Sequence, residues 1–297
     1  MKFGQVTHPE DINFTLPKDH PDTKKVLSSH KKENEWEVYV GCAKWNKTDL
    51  KNFYPKGTKD ELTYYATQFN SIELNATFYN APTKEQVEMW EKKTPADFKF
   101  FPKIPNTVSH FKRLEGVKPI VEDFCTNVSA LEEKLGMVFL QMHDNFGTKN
   151  FDRVEKFVKD FPSHVPLAVE VRNGDWFTDP KQSERLYQLL EENKVTNVIV
   201  DTAGRRDMLH MRLTTPTAFI RYVGANHASD YKRLDDWLER IKIWKQEGLQ
   251  QLYFFVHQNV ELASPFLSAY FIEKLNKEFG TNLPVPQLLL DAQLKFE

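Results

Sequence analysis

The sequence predicts an α/β fold, a single TIM-type (β/α)8 barrel spanning residues 37–297, with one helix irregular or missing after the sixth strand. Eight short apolar runs follow one another, and amphipathic stretches of helical period separate most of them. No GxGxxG or GxxxxGK[ST] follows any run, so the glycine-rich first turn of a dinucleotide or P-loop fold is missing, and no cofactor is expected.

Residues 1–36 are rich in Pro, Asp, Lys, His and Asn and show neither period, so they read as an extended leader outside the barrel. The runs then follow as VYVGCA (38–43), SIELNATF (71–78), FKFFPK (98–103), MVFLQM (137–142), LAVEVR (167–172), NVIVD (197–201), AFIRYV (218–223) and LYFFVH (252–257). Leu62, Tyr65, Ala66 and Phe69 recur at i, i+3, i+4, i+7, as do Leu234, Trp237, Leu238 and Ile241; Leu267, Tyr270, Phe271 and Leu275 do so closely. Each stripe should face the sheet. Between Asp201 and Thr217 the sequence GRRDMLHMRLTTP offers only a short or irregular connection.

Composition narrows the function. At 297 residues, 40% hydrophobic, the chain can bury a large core. A formal charge of −2, with lysines and arginines scattered, excludes a basic block that binds nucleic acid or membrane by charge alone. Cys42 and Cys125 form neither a CxxC pair nor a disulfide framework, as expected of a cytoplasmic protein. The N-terminus lacks an apolar secretory core, and no apolar stretch approaches membrane-spanning length.

Strand side chains alternate between the helix-covered face and the lumen. In LAVEVR, Leu167, Val169 and Val171 share one face, which sends Ala168, Glu170 and Arg172 inward. The same rule sends Glu73, Asn75, Lys103, Gln141 and His143 inward, and Asp201, Arg221, His257 and Asn259 are assigned there too. These residues gather toward the C-terminal strand ends, where barrel enzymes carry their chemistry. A purely structural ion network across the lumen is the alternative.

The segments VGCAKWNKTDLKNFYP, YYATQFNSIELNATFYNAPT, FKFFPKIPNTVSH and LAVEVRNGDWF resemble the YecE-like family, also called domain of unknown function 72. The resemblance runs through nearly all of the chain after residue 36 and implies a TIM-type barrel, a site at its C-terminal mouth and no settled reaction. Its pattern falls on Gly41, Trp45, Tyr54, Glu73, Asn75, Thr77, Phe78, Tyr79, Lys103, His110, Gln141, Glu170, Arg172, Trp176, Asp201 and Arg221. The chain departs at Lys44, where the family usually has Gly, at His143, where Pro is common, and at His257-Gln258-Asn259, where Asn-Asn-Asp is usual.

The resulting expectation is an enzyme acting by acid–base chemistry on a small polar, anionic or sugar-like substrate. Glu73, Glu170 and Asp201 are the candidate catalytic groups. Asn75, Tyr79, Lys103, His110, Gln141, Arg172, Trp176, Arg221 and His257 are the candidate substrate contacts, the cations suiting a carboxylate or phosphate. No metal is expected: three cations would share the lumen with three carboxylates, and neither HExxH nor a close His pair occurs. A metal-assisted phosphodiesterase directed at nucleic acid and a non-catalytic ligand-binding barrel are the competing readings. Trp45, Tyr54, Phe78, Tyr79 and Trp176 follow strands, where they either stack on a ligand or roof the barrel. His164 precedes its strand and reads as structural.

Overall fold

The computed structural model describes residues 4–29 and 36–288. Its strands are β1 (Glu37–Cys42), β2 (Ser71–Leu74), β3 (Lys99–Pro102), β4 (Val138–Gln141), β5 (Leu167–Glu170), β6 (Thr196–Thr202), β7 (Thr217–Gly224) and β8 (Gln251–Gln258). They pair in parallel in the order β3-β2-β1-β8-β7-β6-β5-β4. Isolated bridges at Phe100–Leu135 and Lys103–Phe139 join β3 to the β4 side, so the eight strands make a nearly closed barrel.

Every expected run contains a strand, although β2 ends earlier than SIELNATF suggested. Asn75 adopts a helical conformation and Ala76–Tyr79 makes one turn, α3. Thr77 Oγ1 reaches the carbonyls of Leu74 and Lys103 at 2.9 and 2.7 Å, which favours the turn over further sheet pairing. Gly41 in β1 is required by close approach, because a Cβ there would meet the Ser71 carbonyl oxygen at 2.2 Å.

The helices are α1 (Pro21–Ser29), α2 (Glu61–Gln68), α3, α4 (Lys84–Lys92), α5 (Lys118–Val128), α6 (Phe151–Asp160), α7 (Asp175–Thr178), α8 (Pro180–Glu192), α9 (Ser229–Glu247) and α10 (Ser264–Phe279). Asp60 caps α2 by accepting from Thr63 N at 2.9 Å, and Leu62, Tyr65 and Ala66 bury the predicted stripe. Leu234, Trp237, Leu238 and Ile241 of α9 are likewise buried. No helix among the described residues is long and apolar enough to cross a membrane.

Between β6 and β7 lies only a short 3-10 turn, Ala203–Met208, broken at Arg205, in agreement with the weak connection in the sequence. Part of the N-terminal segment lies against this connection. Thr23 Oγ1 donates to Met211 O at 2.7 Å and accepts from Leu213 N at 3.0 Å, while Val26 and Leu27 are buried. Residues 21–29 are thus helical and docked, where an extended leader was expected. Thr23, Val26 and Leu27 amount to one helical repeat, too little for periodicity to reveal. Residues 1–3 and 30–35 of the expected leader, and 289–297 of the expected barrel domain, lie outside the described residues.

Phe101, Met137, Phe139, Ala168, Val198, Val200, Phe219, Tyr253 and Phe255 form an apolar cluster that alternates along the strands with the helix-facing side chains. The polar inward residues stand above it, toward the C-terminal strand ends.

Candidate functional site

Parity and register bring the predicted side chains of β2, β4, β5 and β7 together. Gln141 and Glu170 are register partners on β4 and β5, next to each other at the strand ends. Arg221 projects from β7, with Nε and NH2 donating to Glu73 at 2.8 Å each and NH1 donating to Glu170 at 2.6 Å. Arg172, just beyond β5, donates through Nε to the other Glu170 oxygen at 2.5 Å. Glu73 also meets His257 Nε2 at 3.1 Å and Asn75 Nδ2 at 2.7 Å.

The network centres on a neutral atom. Gln141 Oε1 accepts from Lys103 Nζ at 3.0 Å, from Arg172 NH2 at 2.6 Å and from Arg221 NH1 at 3.1 Å. Lys103 has no carboxylate within 4 Å among the described residues, and its ammonium lies 4.1 Å from the centre of the Phe78 ring.

Asp201 is not part of this group. Val198 and Val200 point into the lumen, so Asp201 faces outward with its register partner Tyr222, against α9. There it accepts from Arg206, from Arg233 NH2 at 2.9 Å and from Trp237 Nε1 at 2.7 Å, fully buried. In β6 the alternation is reversed relative to β5: Val198 and Val200 fill the lumen, and the polar Asn197 and Asp201 are buried on the helix-covered face. Trp176 is also removed from the mouth. It is fully buried in the outer layer, donates to Phe146 O at 2.7 Å and packs near Phe151.

The remaining candidates form the rim. Tyr79 is 71% exposed, and with Trp45, Asn75 and Glu73 it lines a cleft of ≈ 210 Å³. His110 accepts or donates to Ser109 Oγ at 2.8 Å, and its ring stands edge-on to those of Phe78 and His143. Among the other aromatics, Tyr54 is buried and Trp45 is partly buried against Trp90. Glu261 was missed: its carboxylate lies 3.9 Å from His257 Nδ1, and its only signal was a position four residues beyond a strand-end histidine.

Burial would raise the Glu73 carboxyl pKa, but Arg221 and His257 overcome it and hold the group well below the usual range. Burial opposes ionisation of Glu170 as well, and Arg172 and Arg221 again prevail. Burial, then the neighbouring Arg221 and Arg172, lower Lys103 to about 7. Burial, with His143 and Lys103, lowers His110 to about 4. At neutral pH the mouth therefore combines two ionised carboxylates, two guanidiniums, a lysine that exchanges its proton and a neutral histidine. Without Asp201 the cations are no longer matched by carboxylates.

The sequence model of a family described as "Protein of unknown function DUF72" matches residues 39–288. UPF0759 protein YecE of Escherichia coli K12 is 28% identical over 275 residues, covering 84% of this chain and 98% of the relative. UPF0759 protein YunF of Bacillus subtilis strain 168 is 26% identical over 170 residues, covering 54% of this chain and 60% of the relative. The crystal structure of a DUF72 family protein from Thermotoga maritima MSB8 superposes with a TM-score of 0.67 at 27% identity, covering 81% of this chain and 99% of that one. One from Enterococcus faecalis V583 gives 0.67 at 21% identity, covering 85% and 99%. The barrel is therefore shared with solved relatives and the family match spans every strand but the first two residues of β1; this chain belongs to the DUF72 family.

Proposed function

We propose that this barrel is an enzyme that binds a small anionic substrate at its C-terminal mouth and moves a proton on it. The observation that carries the reading is the convergence of Lys103, Arg172 and Arg221 on Gln141 Oε1. Three cationic donors on one neutral amide oxygen leave attraction to spare for a carboxylate or phosphate oxygen. Arg221 bridges two carboxylates, whereas Arg172 bonds one oxygen of Glu170 and Lys103 meets no carboxylate within 4 Å among the described residues, so Arg172 and Lys103 would receive the anion in exchange for Gln141.

Within that reading His257 carries the proton. Glu73 accepts from its Nε2 and thereby orients the ring, and the His257 side chain keeps 12% exposure at the mouth. Glu73 and Glu170 are ionised and held by arginine, so they position groups rather than deliver protons. A metal-assisted phosphodiesterase would need these same carboxylates, whose oxygens already accept from Arg221, Arg172 and His257.

The test is a thermal-shift screen of anionic metabolites and neutral isosteres, run with and without zinc, manganese and magnesium. Anions are expected to raise Tm without metal, with the gain lost in R172L. Stabilisation by a divalent metal alone, or by neutral sugars as strongly as by anions, would overturn the reading.

A further inference from the structure

We propose that Lys103 is a covalent catalytic residue that forms an imine with a 2-oxo acid held by Arg172 at the barrel mouth. The proposal rests on the anion-site reading above and names both the substrate class and the nucleophile.

Lysines at the ends of strands ordinarily meet a carboxylate or open solvent. Lys103 does neither: it is 7% exposed, its amine donates to the Gln141 amide oxygen at 3.0 Å, and among the described residues no carboxylate lies within 4 Å. On one side the amine meets the face of Phe78, an apolar wall, and on the other the guanidiniums of Arg172 and Arg221 share its acceptor. Burial and the like charge of the two guanidiniums favour the neutral amine, which is the nucleophilic form, and outweigh the attraction of the Phe78 face for the ammonium. Its ordinary proton affinity is reduced until loss of the proton occurs near pH 7, with burial the largest cause and the two arginines next.

The same geometry selects the electrophile. A carboxylate that displaced Gln141 Oε1 from Arg172 would sit beside Lys103 Nζ, because both nitrogens lie within 3.0 Å of that one oxygen. A carbonyl carbon adjacent to the carboxylate is then within reach of the amine, whereas a carbonyl placed far along the chain is not. The amine nitrogen bonds to the carbonyl carbon and the carbonyl oxygen takes up a proton, giving a carbinolamine. The C–O bond then breaks and the oxygen leaves as water, so that ammonium and ketone become protonated imine and water, with no oxidation. The cationic imine withdraws electrons from the neighbouring carbon, and His257 is placed at the same mouth to take a proton from it.

The experiment incubates the full chain with pyruvate, glyoxylate or 2-oxoglutarate, adds borohydride, and locates the reduced adduct by peptide mass spectrometry. Lactate, which has the carboxylate but no carbonyl, serves in parallel as a thermal-shift probe of anion binding. The expected result is an adduct on the Lys103 peptide at least tenfold above that on exposed lysines such as Lys84, suppressed by lactate and absent from K103R. Because the label is read in the wild-type chain, the result does not depend on K103R folding. If lactate and pyruvate raise Tm but Lys103 is labelled no more than Lys84, the imine is overturned while the anion site stands. If no oxo acid labels Lys103 and neither lactate nor any other anion raises Tm, the anion site itself falls and the imine with it.

Discussion

Arg221 and Glu73, 148 residues apart in sequence, meet across the lumen through two hydrogen bonds of 2.8 Å, and a third nitrogen of Arg221 reaches Glu170. That guanidinium offsets one of the two buried carboxylate charges, and Arg172 on Glu170 offsets the other. R221M should leave Glu73 without its guanidinium, while Glu170 keeps Arg172, and cost about 3–5 kcal/mol. The E73Q, R221M double variant should recover much of that loss in urea unfolding, since Glu170 keeps Arg172 and neither member of the broken pair stays buried as a charge.

Arg172 presents the opposite balance. Glu170 keeps its 2.6 Å bond to Arg221 when Arg172 is removed, so R172L should cost only about 1 kcal/mol of stability. Binding of an anion should fall at least tenfold by calorimetry. If R172L instead unfolds and E170Q with R172L restores the fold, the lumen is a structural ion network and the site reading fails.

Asp201 lies behind the sheet, paired with Arg206 and Arg233 and bonded to Trp237. D201N should lower stability by about 2–4 kcal/mol through the arginines it leaves less well paired, while the anion affinity of the folded variant stays unchanged. A loss of affinity at constant fold would return Asp201 to the site.

Lys103 is held at a cost in stability. Its folded pKa, about 7 against an ordinary 10.5, means that folding opposes protonation across that window. Wild type should therefore gain stability as pH rises from 7 to 10.5. K103M should be more stable than wild type at pH 7 by on the order of 1–3 kcal/mol, an advantage that shrinks toward pH 10.5. Equal stability across that range would show that Lys103 is not desolvated.

His210 supplies a separate pH dependence. Its Nε2 lies 3.0 Å from the Val198 carbonyl, and burial pushes its pKa down from 6.5 to about 4 despite that bond. The unfolded chain then binds the extra proton between those values, so stability falls as pH drops. From pH 8 to pH 5 this one group should remove about 2 kcal/mol. H210Q should flatten the slope of unfolding free energy over that interval, which lies above the range in which Glu73 and Glu170 take up protons.

Much of the fold and of the site was legible before any coordinates. Alternation in LAVEVR assigns Glu170 to the lumen because Leu167, Val169 and Val171 mark the other face, and the same contrast finds Glu73, Gln141 and Arg221. The irregular connection after β6 was equally visible, since GRRDMLHMRLTTP carries no apolar stripe. The resemblance supplied His110 and Tyr79, which stand on the rim, and also Trp176, which packs in the outer layer.

Polarity marks the lumen only where the helix-covered face is apolar, and in β6 that face carries the buried polar Asn197 and Asp201 while Val198 and Val200 fill the lumen, so Asp201 was assigned to the wrong side. A single helical repeat at Thr23, Val26 and Leu27 has no period to detect, and α1 becomes recognisable only once Met211 and Leu213 provide the partners for Thr23. The same holds for the site. Local pattern places Lys103, Gln141, Arg172 and Arg221 on their strands and turns one at a time, but their convergence on one oxygen comes from closure of the barrel. Which charges compensate one another depends on distances between residues far apart in the chain, and no short window of sequence contains both members of such a pair.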